Sequence, residues 1–333
     1  MAIAVCVGGN KQISAARLSG VLACKLQAAG KDVILFALKG SVRQTGPVHL
    51  KEYISAVTAK TLTSLFAKNG ITEVVSIMNL RACEAAVQAK LPFLYVEYDG
   101  FQEDKPVKTK KTLLKKAKKV MVLCDGEKIV SKRAYAGLPA VCIAAPALGV
   151  EHGSWGRPAQ FKKRNNIIAV GKLTKESGFD KLLAGWAKLA PLHPSWHLTI
   201  VGDGALKSTL TRLIAKNYLQ ASTEVVSAME GIEPFLAQAD IFAYTSSEAV
   251  RADELLHAMA SKLPAVAVDN SQTRALIREG ENGVLVENED CLVPALDSLM
   301  VDWGYRVGLA VTAGKEQEKR PLDAFVRAVW ENL

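Results

Sequence analysis

The chain has 333 residues, more than one average domain needs and enough for two. Apolar residues make up 49% of it and charged residues 23%, a globular composition that argues against wholesale disorder. The net charge of +9 favours anionic partners: nucleic acid, phosphorylated substrates or a membrane surface. No apolar stretch reaches the roughly 18 residues of a transmembrane helix.

The first half of the sequence alternates short apolar runs with longer amphipathic ones, through turns that contain Gly or Pro. This alternation predicts βαβ units and therefore a parallel sheet. Strands are predicted at 3–7, 32–38, 72–78, 93–98, 119–124 and 140–145, with helices at 11–30, 57–70, 81–90, 109–118 and 127–137.

A Gly- and Pro-containing segment at 146–165 interrupts this alternation and is typical of a linker. A second series follows, with strands predicted at 166–171, 197–202, 224–227, 240–245, 264–269 and 283–286. We therefore expect one domain at 1–148, a second at 149–315, and a C-terminal helix at 316–333 that packs back on the first domain. Ligands of such sheets bind beyond the carboxyl ends of the strands, which predicts a cleft site.

The six cysteines form no C-x-x-C pair, and Cys6, Cys124 and Cys142 fall within predicted strands. This pattern is typical of buried, reduced thiols rather than of a zinc site or a disulfide framework. No Asp-x-Asp or His cluster follows a predicted strand, so we expect no bound metal. Reduced thiols also predict a cytoplasmic location.

A series of short motifs lies at the predicted strand ends. In chain order they are Gly8-Gly9-Asn10, Ala147 to Glu151, Gly171-Lys172-Leu173 with 178–183, Val201-Gly202-Asp203-Gly204, 239–242 with Ser246-Ser247-Glu248, 258–260 with Leu263-Pro264, and 280–286. Taken in this order, they resemble the motifs of the family-4 type glycosyltransferases (glycosyl transferases group 1). The resemblance implies an α/β chain of two doubly wound Rossmann-like domains facing across a cleft, the GT-B fold.

The resemblance also implies a function. It predicts a retaining, metal-independent glycosyltransferase whose C-terminal domain binds a nucleoside-diphosphate sugar, UDP-linked by preference, with no further cofactor. The N-terminal domain would bind a cell-envelope or lipid-linked glycan acceptor. The catalytic residues implied are Glu248, which would hold the donor sugar, Lys172, which would stabilise the diphosphate, and Asp99, at the family's His-Asp position.

Donor-binding residues are expected in the Gly-rich turns and the helices near them, because backbone N–H groups can approach a diphosphate closely there. They are Gly8, Gly9, Lys172, Lys175, Gly202, Asp203, Gly204, Glu254 and His257. Structural alternatives stay open: the turn at 202–204 as a plain strand-ending turn, Glu248 as a helix-start carboxylate, and His257 as a satisfied core histidine.

Several donor-site positions depart from the family's pattern. Lys172 stands in place of an Arg, which keeps the charge but loses the bidentate fork. The other substituted positions are Ser177 for Lys, His257 for Glu, and Lys262 and Asn270 for Gly. Two explanations stay open: a transferase with a rearranged donor site, or a catalytically impaired subunit that supports a partner transferase or a membrane assembly. A third, sugar-nucleotide epimerisation, is weakened because no acid–base cluster lines the expected turns.

The segment Lys105–Lys119 carries eight lysines around a small apolar stripe of Leu113, Leu114 and Ala117. A solvated basic face is the ordinary structural explanation. No aromatic residues interleave with the lysines, which argues against nucleic acid as the partner. A basic helix with an apolar stripe favours an anionic membrane surface, so we expect peripheral binding to the inner face of the membrane.

Overall fold

The computed structural model describes residues 2–7, 13–38, 49–53, 58–97, 108–124, 137–144, 146, 165–227, 232–246, 252–317 and 322–333. They divide into two compact units, Met1–Pro146 with Leu322–Leu333, and Ala147–Pro321. Each unit has its own parallel sheet flanked by helices. The predicted helix at 127–137 and the predicted linker at 146–165 lie outside the described residues, apart from their ends.

The N-terminal unit is built on a parallel sheet of seven strands among the described residues. They are β1 (Ala2–Val7), β2 (Asp32–Leu38), β3 (His49–Tyr53), β4 (Ile71–Ile77), β5 (Phe93–Glu97), β6 (Lys119–Cys124) and β7 (Ala140–Ala144), in the order β3-β2-β1-β4-β5-β6-β7. Its helices are α1 (Ile13–Ala28), α2 (Ala59–Lys68), α3 (Leu80–Gln88) and α4 (Lys108–Leu114). The order reverses between β1 and β4, as in doubly wound dinucleotide-binding folds.

Hydrophobic composition explains why the central strands form. All six residues of β1 are buried, as expected of a strand covered on both faces by helices. The Phe36 ring packs edge-on against Phe66 of α2, with 5.6 Å between ring centroids. Two predictions differ from the structure. The sequence did not predict β3, and α4 ends at Leu114 rather than extending to 118.

The C-terminal unit repeats the plan with six strands within the described residues. They are β8 (Asn166–Val170), β9 (His197–Val201), β10 (Thr223–Val226), β11 (Ile241–Tyr244), β12 (Ala265–Val268) and β13 (Val284–Val286), in the order β10-β9-β8-β11-β12-β13. Its helices are α5 (Phe179–Leu189), α6 (Lys207–Lys216), α7 (Glu233–Leu236), α8 (Asp253–Ala260), α9 (Thr273–Leu276), α10 (Leu292–Val301) and α11 (Trp303–Gln317). The predicted strands are all present.

The last helix, α12 (Leu322–Trp330), belongs to the N-terminal unit. It buries Phe325 and Val329, and Asp323 accepts a hydrogen bond from Lys25 of α1 at 2.9 Å. The ammonium of Lys31 lies 4.4 Å from the centre of the Trp330 ring. The chain thus returns to its first unit after completing the second. None of the helices in the described part of the chain combines the length and apolarity that a bilayer span requires.

Candidate functional site

The candidate site lies at the carboxyl edge of the C-terminal sheet. Its strand order reverses between β8 and β11, which pair in parallel. The turns that follow β8, β9, β11 and β12 therefore emerge at one edge, where doubly wound sheets bind ligands. Lys172 and Lys175 follow β8, and the turn at 202–204 follows β9. The fold thus brings these predicted donor residues to the same edge.

Two turns interlock at this edge. The Gly171 N–H donates to Val201 O at 3.0 Å, and the Leu173 N–H donates to Asp203 O at 3.1 Å. A β-carbon at position 202 would lie 1.9 Å from Gly171 O, and one at 204 would lie 2.3 Å from Leu173 O. Glycine is therefore required at both positions for the turns to pack, whatever their contribution to ligand binding.

The carboxylate of Asp203 already has partners within the unit. One oxygen pairs with Lys207 Nζ at 3.2 Å, and the other accepts a hydrogen bond from the hydroxyl of Ser227. Asp203 therefore ties the β9 turn to α6 and to the end of β10. Because a donor ligand would compete with these partners, the carboxylate is better placed to support the turn than to take the ligand itself.

The two predicted phosphate-binding lysines lie just before a carboxylate in the sequence. Lys172 and Lys175 are exposed, and Glu176 follows them in a short 3-10 turn, Lys175–Ser177. The pKa of Glu176 is lowered by hydrogen bonds from its own backbone N–H and from the Thr174 side chain, and to a smaller extent by the two lysines. The segment 172–176 therefore carries two lysines and one carboxylate, an electropositive position for an anionic ligand.

The β8 and β11 turns are joined by Thr245. Its hydroxyl donates to the carbonyl of Ser177, the position where the resemblance expects a lysine. Gly178 has a φ of +71°, and a β-carbon there would lie 2.7 Å from Thr245 O. Glycine allows both the left-handed conformation and this close approach. The segment 177–178 is thus structural, and Lys175 is left as the nearby cation.

Glu254 and His257 lie on α8, the helix after β11. Glu254 is half-buried in the first turn, whereas His257 is only 1% exposed. The hydroxyl of Ser261 donates to the backbone carbonyl of His257 at 2.7 Å, one turn further along. His257 is therefore a buried residue of α8, and its contact with ribose stays a prediction. Glu254 is the more accessible of the two.

Lys262 ends α8 in the left-handed region, with a φ of +58°. This conformation explains why glycine is expected at that position by resemblance, since glycine adopts it without steric cost. The stem of Lys262 lies against Gly314 of α11, where an added β-carbon would be 2.7 Å from Lys262 Cγ. The substitution at 262 is therefore a packing feature of the unit and lies away from the donor chemistry.

Some predicted residues fall outside the described part of the chain: Gly8, Gly9, Asp99 and Glu248. Among the described residues, no group of three or more His, Cys, Asp or Glu side chains is arranged to hold a metal ion. Sequence reasoning missed Thr245 as a site residue and treated Asn270 as a loss. The available signal was their position directly after buried strands, where side chains reach the ligand edge.

In the N-terminal unit, one lysine of the basic segment points inward. Lys110 Nζ lies 2.6 Å from the buried carboxylate of Glu97, at the carboxyl end of β5, and 5.6 Å from the centre of the Tyr95 ring. Lys115 and Lys116 are exposed, and Lys118 donates to the carbonyl of Leu333. The segment 105–119 is thus not a uniform basic face.

Comparison with known proteins gives a family match for just under half of the chain. Residues 156–316 match the family model described as glycosyl transferases group 1. The amylovoran biosynthesis glycosyltransferase AmsD of Erwinia amylovora is 35% identical over 108 residues, 32% of this chain and 30% of that protein. The lipopolysaccharide core biosynthesis glycosyltransferase LpsE of Rhizobium meliloti is 25% identical over 146 residues, 43% of this chain and 42% of that protein. The chain thus spans less than half the length of either relative.

Solved structures match over the whole chain. Anabaena HepE in complex with UDP-glucose has a TM-score of 0.73 at 15% identity, covering 100% of both chains. Sucrose-phosphate synthase from Thermosynechococcus elongatus has a TM-score of 0.72 at 16% identity, covering 99% of this chain and 98% of that one. At this identity the likeness shows the fold, and both Rossmann-like domains of the GT-B fold are present here.

Proposed function

We propose that this chain, whose residues 156–316 match the family model of glycosyl transferases group 1, is a retaining glycosyltransferase. Its donor would be a nucleoside-diphosphate sugar, with UDP favoured. The observation that carries the proposal is the turn after β8, where exposed Lys172 and Lys175 stand at the strand-order reversal of a doubly wound sheet. HepE, which has the same fold, was crystallised with UDP-glucose, which supports the choice of nucleotide.

The chemistry follows from where charge develops. As the glycosidic bond to the diphosphate breaks, negative charge accumulates on the leaving group, and nearby cations stabilise the transition state. Lys172 and Lys175 would supply the stabilising positive charge without a metal. Glu248 would hold the hydroxyls of the donor sugar, and Asp99 would contribute from the family's His-Asp position. These roles are carried over by resemblance. The exposure of Lys172 and Lys175 supports their role in stabilising the leaving group.

The acceptor would be a cell-envelope or lipid-linked glycan. The names of two relatives refer to amylovoran and lipopolysaccharide core biosynthesis, and a third relative, from Campylobacter jejuni, is named for transfer to a diphospho-undecaprenol-linked sugar. A lipid-linked acceptor requires the enzyme to work at a membrane surface. We assign peripheral docking to Lys105–Lys119, with the exposed Lys115 and Lys116 contributing most among its described residues.

Calorimetric titration with UDP, GDP and their common sugar conjugates, in the presence of EDTA, tests the donor assignment. We expect micromolar binding of one nucleotide series, weakened at least tenfold by Lys172→Ala or Lys175→Ala. Lys188→Ala, on the exposed last turn of α5, is the matched control and should bind as the wild type does. Wild-type protein that binds none of these nucleotides would contradict the proposal. Binding lost in EDTA would contradict its metal-independent form.

Co-sedimentation with phosphatidylglycerol vesicles tests the docking assignment. Replacing Lys115 and Lys116 together by Glu should reduce binding at least about thirtyfold at 0.1 M salt, because each basic residue near an anionic surface contributes about 1 kcal/mol. The same double change at Lys60 and Lys68, exposed on α2 of the same unit, serves as control for net charge. Equal losses in both variants would show that the attraction is not local to the basic segment.

The second candidate is a catalytically impaired subunit that supports a partner transferase or a membrane assembly. The observation in its favour is that Ser177, where the resemblance expects a lysine, is half-buried and donates its hydroxyl to the carbonyl of Thr174, so its side chain supplies no cation to a ligand. A protein that binds nucleotide but releases no UDP with any sugar donor or lipid-linked acceptor would favour this candidate over the first.

A further inference from the structure

Asn270 stands between two strand ends of the C-terminal unit. It lies two residues after β12, and its side chain uses both of its polar atoms. The amide oxygen accepts from the backbone N–H groups of Gln272 at 2.8 Å and Thr273 at 3.0 Å, which begins α9. The amide nitrogen donates to the carbonyl of Ser246 at 3.2 Å. One side chain thus connects the β12 turn to the end of β11.

The contacted residue directly precedes Ser247 and Glu248. The residue before it, Thr245, is held from the opposite side through its bond to Ser177, in the turn after β8. Because β11 lies between β8 and β12 in the sheet, its carboxyl end is fixed by both neighbours. The carboxyl end of β11, at Thr245 and Ser246, is therefore held by two side-chain hydrogen bonds.

Asn is chemically suited to this double contact. Its oxygen accepts and its nitrogen donates, so it can cap a helix and hold a carbonyl at the same time. A glycine, which the resemblance expects at this position, can do neither with a side chain. The sequence suggests that a donor-site glycine has been lost. In the structure, the Asn270 side chain adds hydrogen bonds between the β12 turn and the end of β11.

We propose that Asn270 is a positioning residue for the donor sugar: by holding Ser246 O, it fixes the carboxyl end of β11, two residues before Glu248 in the sequence. The inference rests on the proposed function, in which Glu248 binds the sugar. The nucleotide half of the donor, assigned to the turns after β8 and β9, does not depend on it. Asn270 should therefore affect the affinity for the sugar conjugate and leave that for the free nucleotide unchanged.

Asn270→Asp separates the two contacts. Aspartate keeps the oxygen that caps α9, since Asp is as good a helix cap as Asn, but it replaces the donating nitrogen by a second oxygen facing a carbonyl. Asn288→Asp is the matched control. Asn288 caps the 3-10 turn Glu289–Cys291 through its side-chain oxygen, in the same unit, with 3.1 Å to Asp290 N and 3.3 Å to Cys291 N.

The first measurement compares the affinities for UDP and for whichever UDP-sugar the wild type binds most tightly. We expect Asn270→Asp to weaken binding of the sugar conjugate about tenfold and binding of UDP less than twofold, with Asn288→Asp unchanged on both. Equal affinities in the wild type and Asn270→Asp overturn the assignment, as does an equal loss for UDP and its sugar conjugate. Wild-type protein that binds no nucleotide overturns the proposed function first, and this assignment with it.

Hydrogen exchange of the unliganded protein provides a readout that needs no substrate. The peptide containing Thr245 and Ser246 should exchange about tenfold faster in Asn270→Asp than in the wild type, whereas Asn288→Asp should leave it unchanged. Unchanged exchange in Asn270→Asp would show that the bond to Ser246 O does not hold the segment.

Discussion

Lys110 donates to the carboxylate of Glu97 across 2.6 Å, and Glu97 is only 1% exposed. The sequence places Lys110 in a run of surface lysines, but the fold turns it towards the end of β5. A buried carboxylate is costly unless a cation and hydrogen bonds compensate it. This pair therefore matters for the stability of the N-terminal unit and removes one charge from the basic face.

Replacing Lys110 by Met should lower the free energy of unfolding by about 3 kcal/mol, because it leaves a buried carboxylate without its ammonium partner. The double variant Glu97→Gln with Lys110→Met should recover part of that loss. Lys116→Met, at an exposed position in the same segment, should change stability by less than about 0.5 kcal/mol. Urea unfolding of the wild type and the three variants measures these free energies of unfolding. Equal stability of Lys110→Met and Lys116→Met would contradict the prediction.

Glu176 offsets part of the charge of Lys172 and Lys175. Hydrogen bonds from its own backbone N–H and from the Thr174 side chain lower the pKa of this exposed carboxylate, and Glu176→Gln removes the charge while keeping a side-chain oxygen for the Thr174 contact. We expect the affinity for UDP to rise about twofold at low salt and less at 0.5 M salt, since exposed charges are screened. Glu281→Gln, on an exposed turn of the same unit, should have no effect. Titration calorimetry at two salt concentrations measures both.

A methyl group at position 202 has no room, since it would lie 1.9 Å from the carbonyl oxygen of Gly171. Gly202→Ala should therefore destabilise the C-terminal unit by about 3 kcal/mol or more. Gly308→Ala is its matched counterpart, because nothing lies within 4 Å of the added methyl in the middle of α11. That change should stabilise by about 0.5–1 kcal/mol. Thermal unfolding of the two variants measures these changes in stability. Shifts of the unfolding temperature in the same direction for both variants would contradict the prediction.

Burial protects two of the cysteines. It raises the pKa of Cys83 to about 12 and that of Cys6 well above its usual range. Only about one Cys83 thiol in a thousand is then ionised at pH 9, and only the thiolate reacts. Cys24 and Cys291 are partly exposed. Mass spectrometry after iodoacetamide treatment should therefore find Cys24 and Cys291 labelled in the native protein, and Cys6 and Cys83 labelled only after unfolding. Native labelling of Cys83 at pH 9 would contradict this.

Most elements of both sheets are predictable from the sequence, because their strands are apolar and their helices amphipathic. Strands such as β1 and β12 are buried throughout, so their composition alone identifies them. The exception is β3, an edge strand whose sequence HLKEY includes Lys51 and Glu52. An edge strand has a neighbour on one side only, so a continuous apolar run is not required and the hydrophobic signal is weak.

The contacts made by the substituted positions are visible only in the folded chain. Asn270 and Lys262 both depart from the expected glycine, but one holds the end of β11 and the other packs its stem on α11. Their partners, Ser246 and Gly314, are distant in sequence, and no local pattern encodes such a contact. Side-chain partners across strands depend on which strands become neighbours. The order of a doubly wound sheet sets those neighbours, and hydrophobic periodicity does not.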